Sequence, residues 1–120
     1  MKHVKNKTYH LKTKTQEWIK VEAGIATVGL SAEAKAAIGE IVHIELPEIG
    51  KKYKKDEEIS VLESSKSAFD LYAPFSGKIT EVNKRLFKEM ELINKEPETE
   101  GWLYKMELAD LEDLKELERC

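Results

Sequence analysis

Glu63-Ser64-Ser65-Lys66-Ser67-Ala68-Phe69-Asp70 sets one lysine between two strand-like runs. Ahead of it, Ile59 and Val61 fall on one face of an extended chain, with Ser60, Leu62 and Ser64 on the other. Behind it, Phe69, Leu71 and Ala73 oppose Ala68, Asp70 and Tyr72. This alternation predicts a β-hairpin with Lys66 at its tip, projecting into water as suits an amine that is to be acylated. Glu63 stands three residues before the lysine and Gly77 eleven after it. Lysines are plentiful in this chain, so the case for Lys66 rests on what surrounds it.

Outward from the hairpin, short strands outnumber helices. Trp18 to Val21 and Ile25 to Leu30 flank Glu22-Ala23-Gly24 and predict a second hairpin. Ser31 is placed to cap a short helix from Ala32 to Ile38, built of strong helix formers and stopped by Gly39. Glu40 to Leu46 follows as a strand with Val42, Ile44 and Leu46 on one face. Pro47 ends it, having no N–H to give to a ladder. Gly50 to Asp56 is a basic turn region. Lys78 to Asn83 and Trp102 to Leu108 are strands, the second with Tyr104, Met106 and Leu108 against Leu103, Lys105 and Glu107. Lys84 to Asn94 is ambiguous, with one helical turn and then an extended piece as the expectation. Asp110 caps a final helix whose Leu111, Leu114 and Leu117 form one apolar stripe, expected to dock on the sheets.

Gly39, Ile41 and Ile44 recur as Gly77, Ile79 and Val82 at one constant offset. As a repeat, this predicts two similar β motifs about a pseudo-twofold axis, with Lys66 on the link between them. Three matches also arise by chance, and the sequence leaves both readings open.

A chain of 120 residues is one domain with room for a core. Residues 1–15 are a basic N-terminal segment with partial order, and 16–120 a single domain ending in the C-terminal helix. The net charge of −3 argues against nucleic acid as a partner. No stretch reads as a signal peptide or a membrane span. Cys120 is the only cysteine, so no intrachain disulfide forms. A cytoplasmic protein with no membrane partner is expected.

Catalytic constellations are missing from the sequence. His3, His10 and His43 lack metal-ligand spacing and cysteine partners, so no metal is implied. There is no glycine-rich phosphate loop or nucleophile elbow, and no two carboxylates form a recognisable acid–base pair. The expectation is a carrier, not an enzyme.

From about Glu17 to Leu117 the chain resembles the H-protein family of the glycine cleavage system, lipoyl carriers related to biotinyl and lipoyl domains. The resemblance rests on ordered blocks: Gly24-Ile25-Ala26-Thr27-Val28-Gly29-Leu30, Gly39-Glu40-Ile41-Val42, Glu45-Leu46-Pro47-Glu48-Ile49-Gly50-Lys51 and Glu63-Ser64-Ser65-Lys66. Tyr72-Ala73-Pro74-Phe75-Ser76-Gly77, Glu81-Val82-Asn83, Leu92-Ile93-Asn94 and Glu100-Gly101-Trp102-Leu103 continue it. It implies a mostly β fold, a barrel-sandwich hybrid with short peripheral helices. It also implies lipoic acid in amide linkage to Lys66, with Glu63 and Gly77 at positions used by the lipoate-attaching enzyme. By the same resemblance the arm receives the aminomethyl group of glycine at a pyridoxal-phosphate glycine decarboxylase. An aminomethyltransferase then passes the one-carbon unit to tetrahydrofolate, and a dihydrolipoamide dehydrogenase reoxidises the arm. The family suggests a monomer.

For Gly77 a plain turn glycine is the competing reading; positive φ or a close approach of a partner's backbone is the functional one. The chain also departs from the family pattern. Ser65 and Ser67 flank Lys66 where valine and alanine are usual, and Phe69-Asp70 replaces a small-residue pair. Gln16 stands where a histidine is typical, Phe87 to Met90 lacks an asparagine-proline, and Glu98-Thr99 stands for a tyrosine-glycine pair. These departures bear on the choice of partners, so a second function is weighed: an H-like lipoyl donor or regulatory scaffold serving another lipoate-dependent pathway. Biotin carriage fits poorly, since biotinyl hairpins favour methionine on both sides of the lysine.

Overall fold

Ala23 and Gly24 take φ values of 51° and 80°, the left-handed pair that a two-residue hairpin turn requires. The turn joins β2 (Glu17–Glu22) to β3 (Ile25–Leu30) as the sequence predicts, in a register running from Glu22↔Ile25 to Glu17↔Leu30. Trp18 lies flat over Gly29, where a β-carbon would stand only 2.6 Å from the indole. Its Nε1–H donates to the carbonyl of Pro97 at 2.8 Å, so the ring is a rim aromatic that ties a distant loop to the sheet.

The computed structural model describes residues 8–12, 17–110, 112 and 118–119. In chain order, β1 (Thr8–Lys12), β2 and β3 lead into α1 (Ala32–Ile38) and β4 (Ile41–Glu45). Then come β5 (Lys52–Tyr53), β6 (Glu58–Ser64), β7 (Ala68–Tyr72) and β8 (Gly77–Val82). A 3-10 turn (Lys84–Phe87), α2 (Glu91–Lys95), β9 (Tyr104–Leu108) and β10 (Glu118–Arg119) complete the order. Two antiparallel sheets result. One has the strand order β10-β1-β2-β3-β9-β8-β5, and the other is β4-β6-β7. This is the mostly β architecture with short helices expected of a barrel-sandwich hybrid. Residues of the basic N-terminal segment supply β1, which pairs with β2 and β10. The expected C-terminal helix with Leu111, Leu114 and Leu117 lies outside the described residues. Its proposed cap, Asp110, accepts from the Glu112 N–H at 2.9 Å.

Both sheets turn apolar side chains into one core. Ile19, Val21 and Val28 meet Ile44, Leu62 and Leu71 there, and Leu86 and Ile93 close it. Burial of each such side chain is worth about 1.5–3 kcal/mol. Ser31 caps α1 as predicted, its Oγ accepting from Ala34 N–H at 3.1 Å. Glu98 adds a second cap, its carboxylate accepting from Ala32 N–H at 2.7 Å. A carboxylate is favoured at that end of a helix by the exposed amides and the helix dipole. One departure from the family pattern thus has a local structural use.

Four sequence expectations need correction. Val42 does not share an inward face with Ile44: it is 56% exposed, while Ile41 and Ile44 are buried. A bulge between Ile41 and His43 shifts the register and re-aims the side chains. Ile59 and Val61 likewise part company at an irregularity between Glu58 and Ser60; Ile59 is buried with Ser60, Leu62 and Ser64. The second half of Lys84 to Asn94 is helical (α2), not extended. The basic turn region holds a strand, β5, whose Tyr53 is buried among the lysines.

The faint repeat gains structural content. β8 carries a register shift between Ile79 and Glu81, at the offset that relates it to the bulge in β4. Ile41 and Ile79 both point into the core.

Tyr104 gives a pH prediction. Burial, reinforced by the negative charge of Glu17 and by Tyr53, pushes its phenol well above the ordinary tyrosine value. Above about pH 10 the unfolded chain loses that proton while the native state keeps it, so stability falls as pH rises. It is level with respect to this group at lower pH. Urea unfolding of wild type and Tyr104→Phe between about pH 8 and pH 11 tests this. The variant is expected to lose less stability over the alkaline limb, and equal losses would remove Tyr104 as the cause.

Candidate functional site

Leu62 pairs with Phe69 and Glu63 with Ala68 across β6 and β7, which leaves Ser64-Ser65-Lys66-Ser67 to make the turn. Its inner post is Ser64, buried despite its hydroxyl. Ser64 Oγ accepts from the backbone N–H groups of Lys66 and Ser67, both at 3.1 Å, and donates to the Ser67 carbonyl at 3.2 Å. The Ser64 N–H donates to the same carbonyl at 2.8 Å. A serine hydroxyl that bonds backbone groups two and three residues on fixes a turn without help from glycine or proline. The result holds the Lys66 backbone in place while leaving its side chain exposed.

The turn also leans on another part of the chain. Ser65 N–H donates to the Glu40 carbonyl at 3.0 Å. Gly39, at φ 94°, lies beside the lysine stem: a β-carbon there would be 3.9 Å from both Lys66 Cδ and Cε. On the strands behind the turn, Glu63 points outward and faces His43 of β4. Among the described residues neither Glu63 nor Asp70 has an ion-pair partner. No group of three or more His, Cys, Asp or Glu able to hold a metal occurs among them either. No described helix is long and apolar enough to cross a membrane.

Residues 9–120 match the family model described as glycine cleavage H-protein. The chain belongs to the glycine cleavage H-protein family. It is 51% identical over 105 residues to the glycine cleavage system H protein of Thermotoga maritima, covering 88% of this chain and 85% of that one. It is 45% identical over 105 residues to the protein of that name from Thermus thermophilus, covering 88% and 82%. The crystal structure of a glycine cleavage system H protein from Mycobacterium marinum is similar to it with a TM-score of 0.77. That match has 33% identity and covers 83% of this chain and 84% of the other.

Against this H-protein fold, Lys66 and Glu63 sit together at the hairpin tip, and Gly77 does not. Ala73, just past β7, is bonded to the hairpin's other end: Asp56 N–H donates to its carbonyl and its own N–H to Glu57, both at 2.8 Å. Five strand residues, roughly 17 Å, separate that end from the turn. Gly77 follows there, paired to Tyr53 and Leu108. Its φ is not positive. A β-carbon on it would meet the Glu107 carbonyl at 2.3 Å and Met106 Cγ at 2.8 Å. The close approach foreseen for this glycine is therefore internal: β8 packs on β9 only if position 77 has no side chain.

Sequence reasoning passed over Ser64 and Gly39. Ser64 had a readable signal, a serine at a strand end just before a tight turn. Gly39 reads in the sequence as a helix stop, a repeat position and part of a family block; its contact with Lys66 arises from tertiary packing. Of the departures, Ser65 and Ser67 are exposed at the tip, Phe69 is half-buried against the core and Asp70 is exposed. Gln16 lies outside the described residues.

Ser64→Ala removes the hydroxyl and leaves two turn amides without their acceptor. The expected cost is about 1 kcal/mol in urea unfolding. Hydrogen exchange at Lys66 and Ser67 should speed up while the β2–β3 ladder stays protected. Unchanged exchange at those two amides would show that the hydroxyl does not hold the turn.

Proposed function

We propose that this H-protein is the lipoyl-carrying shuttle of the glycine cleavage system, with lipoic acid joined as an amide to Lys66 Nζ. It takes the aminomethyl group of glycine from a pyridoxal-phosphate glycine decarboxylase to a tetrahydrofolate-dependent aminomethyltransferase. A dihydrolipoamide dehydrogenase restores the arm. The observation that carries this reading is Lys66 itself: an exposed amine on a turn whose backbone is bonded at Ser64, Ser65 and Ser67. That combination suits an attachment point, where the root must be fixed and the tip free. When attached, lipoic acid supplies reversible thiol–disulfide chemistry.

This chain's own residues do the rest. Lys66 gives a long stem and an acylable amine. Amide formation removes its charge, and with it the desolvation cost of entering apolar partner clefts. The tether raises the effective concentration of the cargo at each partner site. Glu63, beside the turn and pointing outward, is the group for the attaching enzyme to read without touching the amine. Gly77 contributes through the fit of β8 on β9, at the hairpin's other end. The working unit is a single domain over 16–120 behind a basic segment at 1–15. It acts as a monomeric cytoplasmic carrier that performs no catalysis and engages neither nucleic acid nor membrane.

Lys66→Arg keeps charge and approximate length but offers no acylable amine. It is expected to melt like wild type and to gain no mass from glycine and the decarboxylase after exposure to a lipoate-attaching enzyme, whereas wild type gains both lipoyl and aminomethyl increments. Loading of the Lys66→Arg protein would move the site elsewhere. Wild type that is lipoylated but never loaded by glycine would favour the lipoyl-donor reading instead.

A further inference from the structure

The turn that presents Lys66 is braced from outside its own hairpin. Gly39, Glu40 and Ile41 form a short bridge between α1 and β4, and on one side they support the turn. Glu40 accepts the Ser65 N–H at 3.0 Å, Ile41 pairs with Ser64, and Gly39 lies along the Lys66 stem. Among the described residues no strand pairs with the other side of the bridge. The side-chain amide of Asn94, on α2, takes that place. Its Oδ1 accepts from Ile41 N–H at 2.8 Å, and its Nδ2 donates to the Ile41 carbonyl at 3.0 Å. The same Nδ2 reaches the Met90 carbonyl at 3.4 Å.

An amide that bonds both the N–H and the C=O of one residue copies the hydrogen-bonded pair of an antiparallel ladder. Only Asn or Gln carries donor and acceptor together in that way. Here the two partners are 53 positions apart in sequence. Ile93, the neighbour of Asn94, is fully buried, so α2 is seated firmly enough for its amide to act as a fixed post.

We propose that Asn94 is a positioning residue for the acylation of Lys66: by clamping Ile41 it holds the Gly39–Ile41 bridge, and the bridge sets the lysine turn and the root of the arm. This rests on Lys66 being the attachment site. Acylation joins Nζ to the carbonyl carbon of an activated lipoate, an acyl adenylate. The C–O bond to the nucleotide phosphate breaks, its electron pair leaving on the phosphate oxygen of AMP. The ammonium loses one proton to become the nucleophile and a second as the amide forms, and the amide nitrogen keeps the last. Nothing in that step touches Asn94. Its contribution is to restrict where the nucleophile starts, which lowers the cost of ordering it at the ligase.

The test compares wild type, Asn94→Ala, Asn94→Asp and Ile79→Val, each full length. Asp keeps the acceptor for Ile41 N–H and loses the donor. Ile79→Val removes one methyl group from the core on β8, away from α2, the bridge and the lysine hairpin, and so serves as the control for general loss of stability. Two quantities are read: hydrogen exchange of the Ser65 amide, and kcat/KM for attachment by a purified lipoate ligase with ATP and lipoate. Asn94→Ala is expected to speed Ser65 exchange at least tenfold and lower kcat/KM about fivefold to tenfold, with Asn94→Asp between it and wild type. Ile79→Val, compared at an equal distance below its own melting temperature, is expected to stay within twofold of wild type in both. If Asn94→Ala does not fold, the comparison of Asn94→Asp with Ile79→Val decides in the same way. Wild-type values in the Asn94 variants, or equal changes in the Ile79→Val control, would overturn the proposal. Failure of wild type itself to be acylated at Lys66 would instead strike the attachment reading, and the Ser65 exchange would still decide whether the clamp holds the turn.

Discussion

A one-residue slip of β7 along β6 would carry Asp70 into the core and turn Leu71 out to water, and a slip of β6 along β7 would do the same with Glu63 and Leu62. The register that forbids the slip, Leu62 opposite Phe69 and Glu63 opposite Ala68, is the constraint on which the rest depends. It leaves four residues to turn the chain, makes Lys66 one of the outer ones and sets Glu63 outward beside it. Ser64 belongs to both worlds. It is the last inward position of β6, and its hydroxyl is the acceptor that folds the turn. Hydrophobic burial in the sheet and polar satisfaction in the turn thus meet at one residue.

The turn that presents Lys66 is more than a loop tip. Loops at the end of a lone hairpin are usually mobile, and a lysine on one would start each reaction from many places. Here a second layer removes that freedom, because the Gly39–Ile41 bridge supports the turn and Asn94 supports the bridge. The side chain beyond the bridge remains in water. A carrier needs this division: a fixed root brings cargo to a predictable location, and a free arm visits several partners.

Much of this was legible in the sequence wherever one local rule governed the outcome. Ala23-Gly24 between two alternating runs could only be a tight hairpin, and Ser31 before a run of helix formers was a cap. Both are present. Reading failed where a bulge broke the two-residue period. Val42 kept its place in the sequence pattern but lost its place in the core, because the shift between Ile41 and His43 re-aims it. Near Lys84 to Asn94 the signal was weak for a different reason. α2 is five residues long and has no side-chain cap, so tertiary burial of Ile93 and the Asn94 clamp fix a segment that propensity leaves undecided. At the site, Lys66 and Glu63 were legible from position and family blocks together. Gly39 and Asn94 were not, since their contacts join stretches that no local pattern connects. For Gly77 the need for a bare backbone was legible, but its cause, the Glu107 carbonyl across β9, was visible only in three dimensions.

The central claim is that Lys66 bears the lipoyl arm. Intact mass of the protein purified from its own cells, with peptide mapping across β6 and β7, tests it most directly. The account predicts a single lipoyl-sized increment located on Lys66. An unmodified Lys66 in cells that lipoylate their other carriers would contradict it, leaving a protein that keeps the carrier fold without the cofactor.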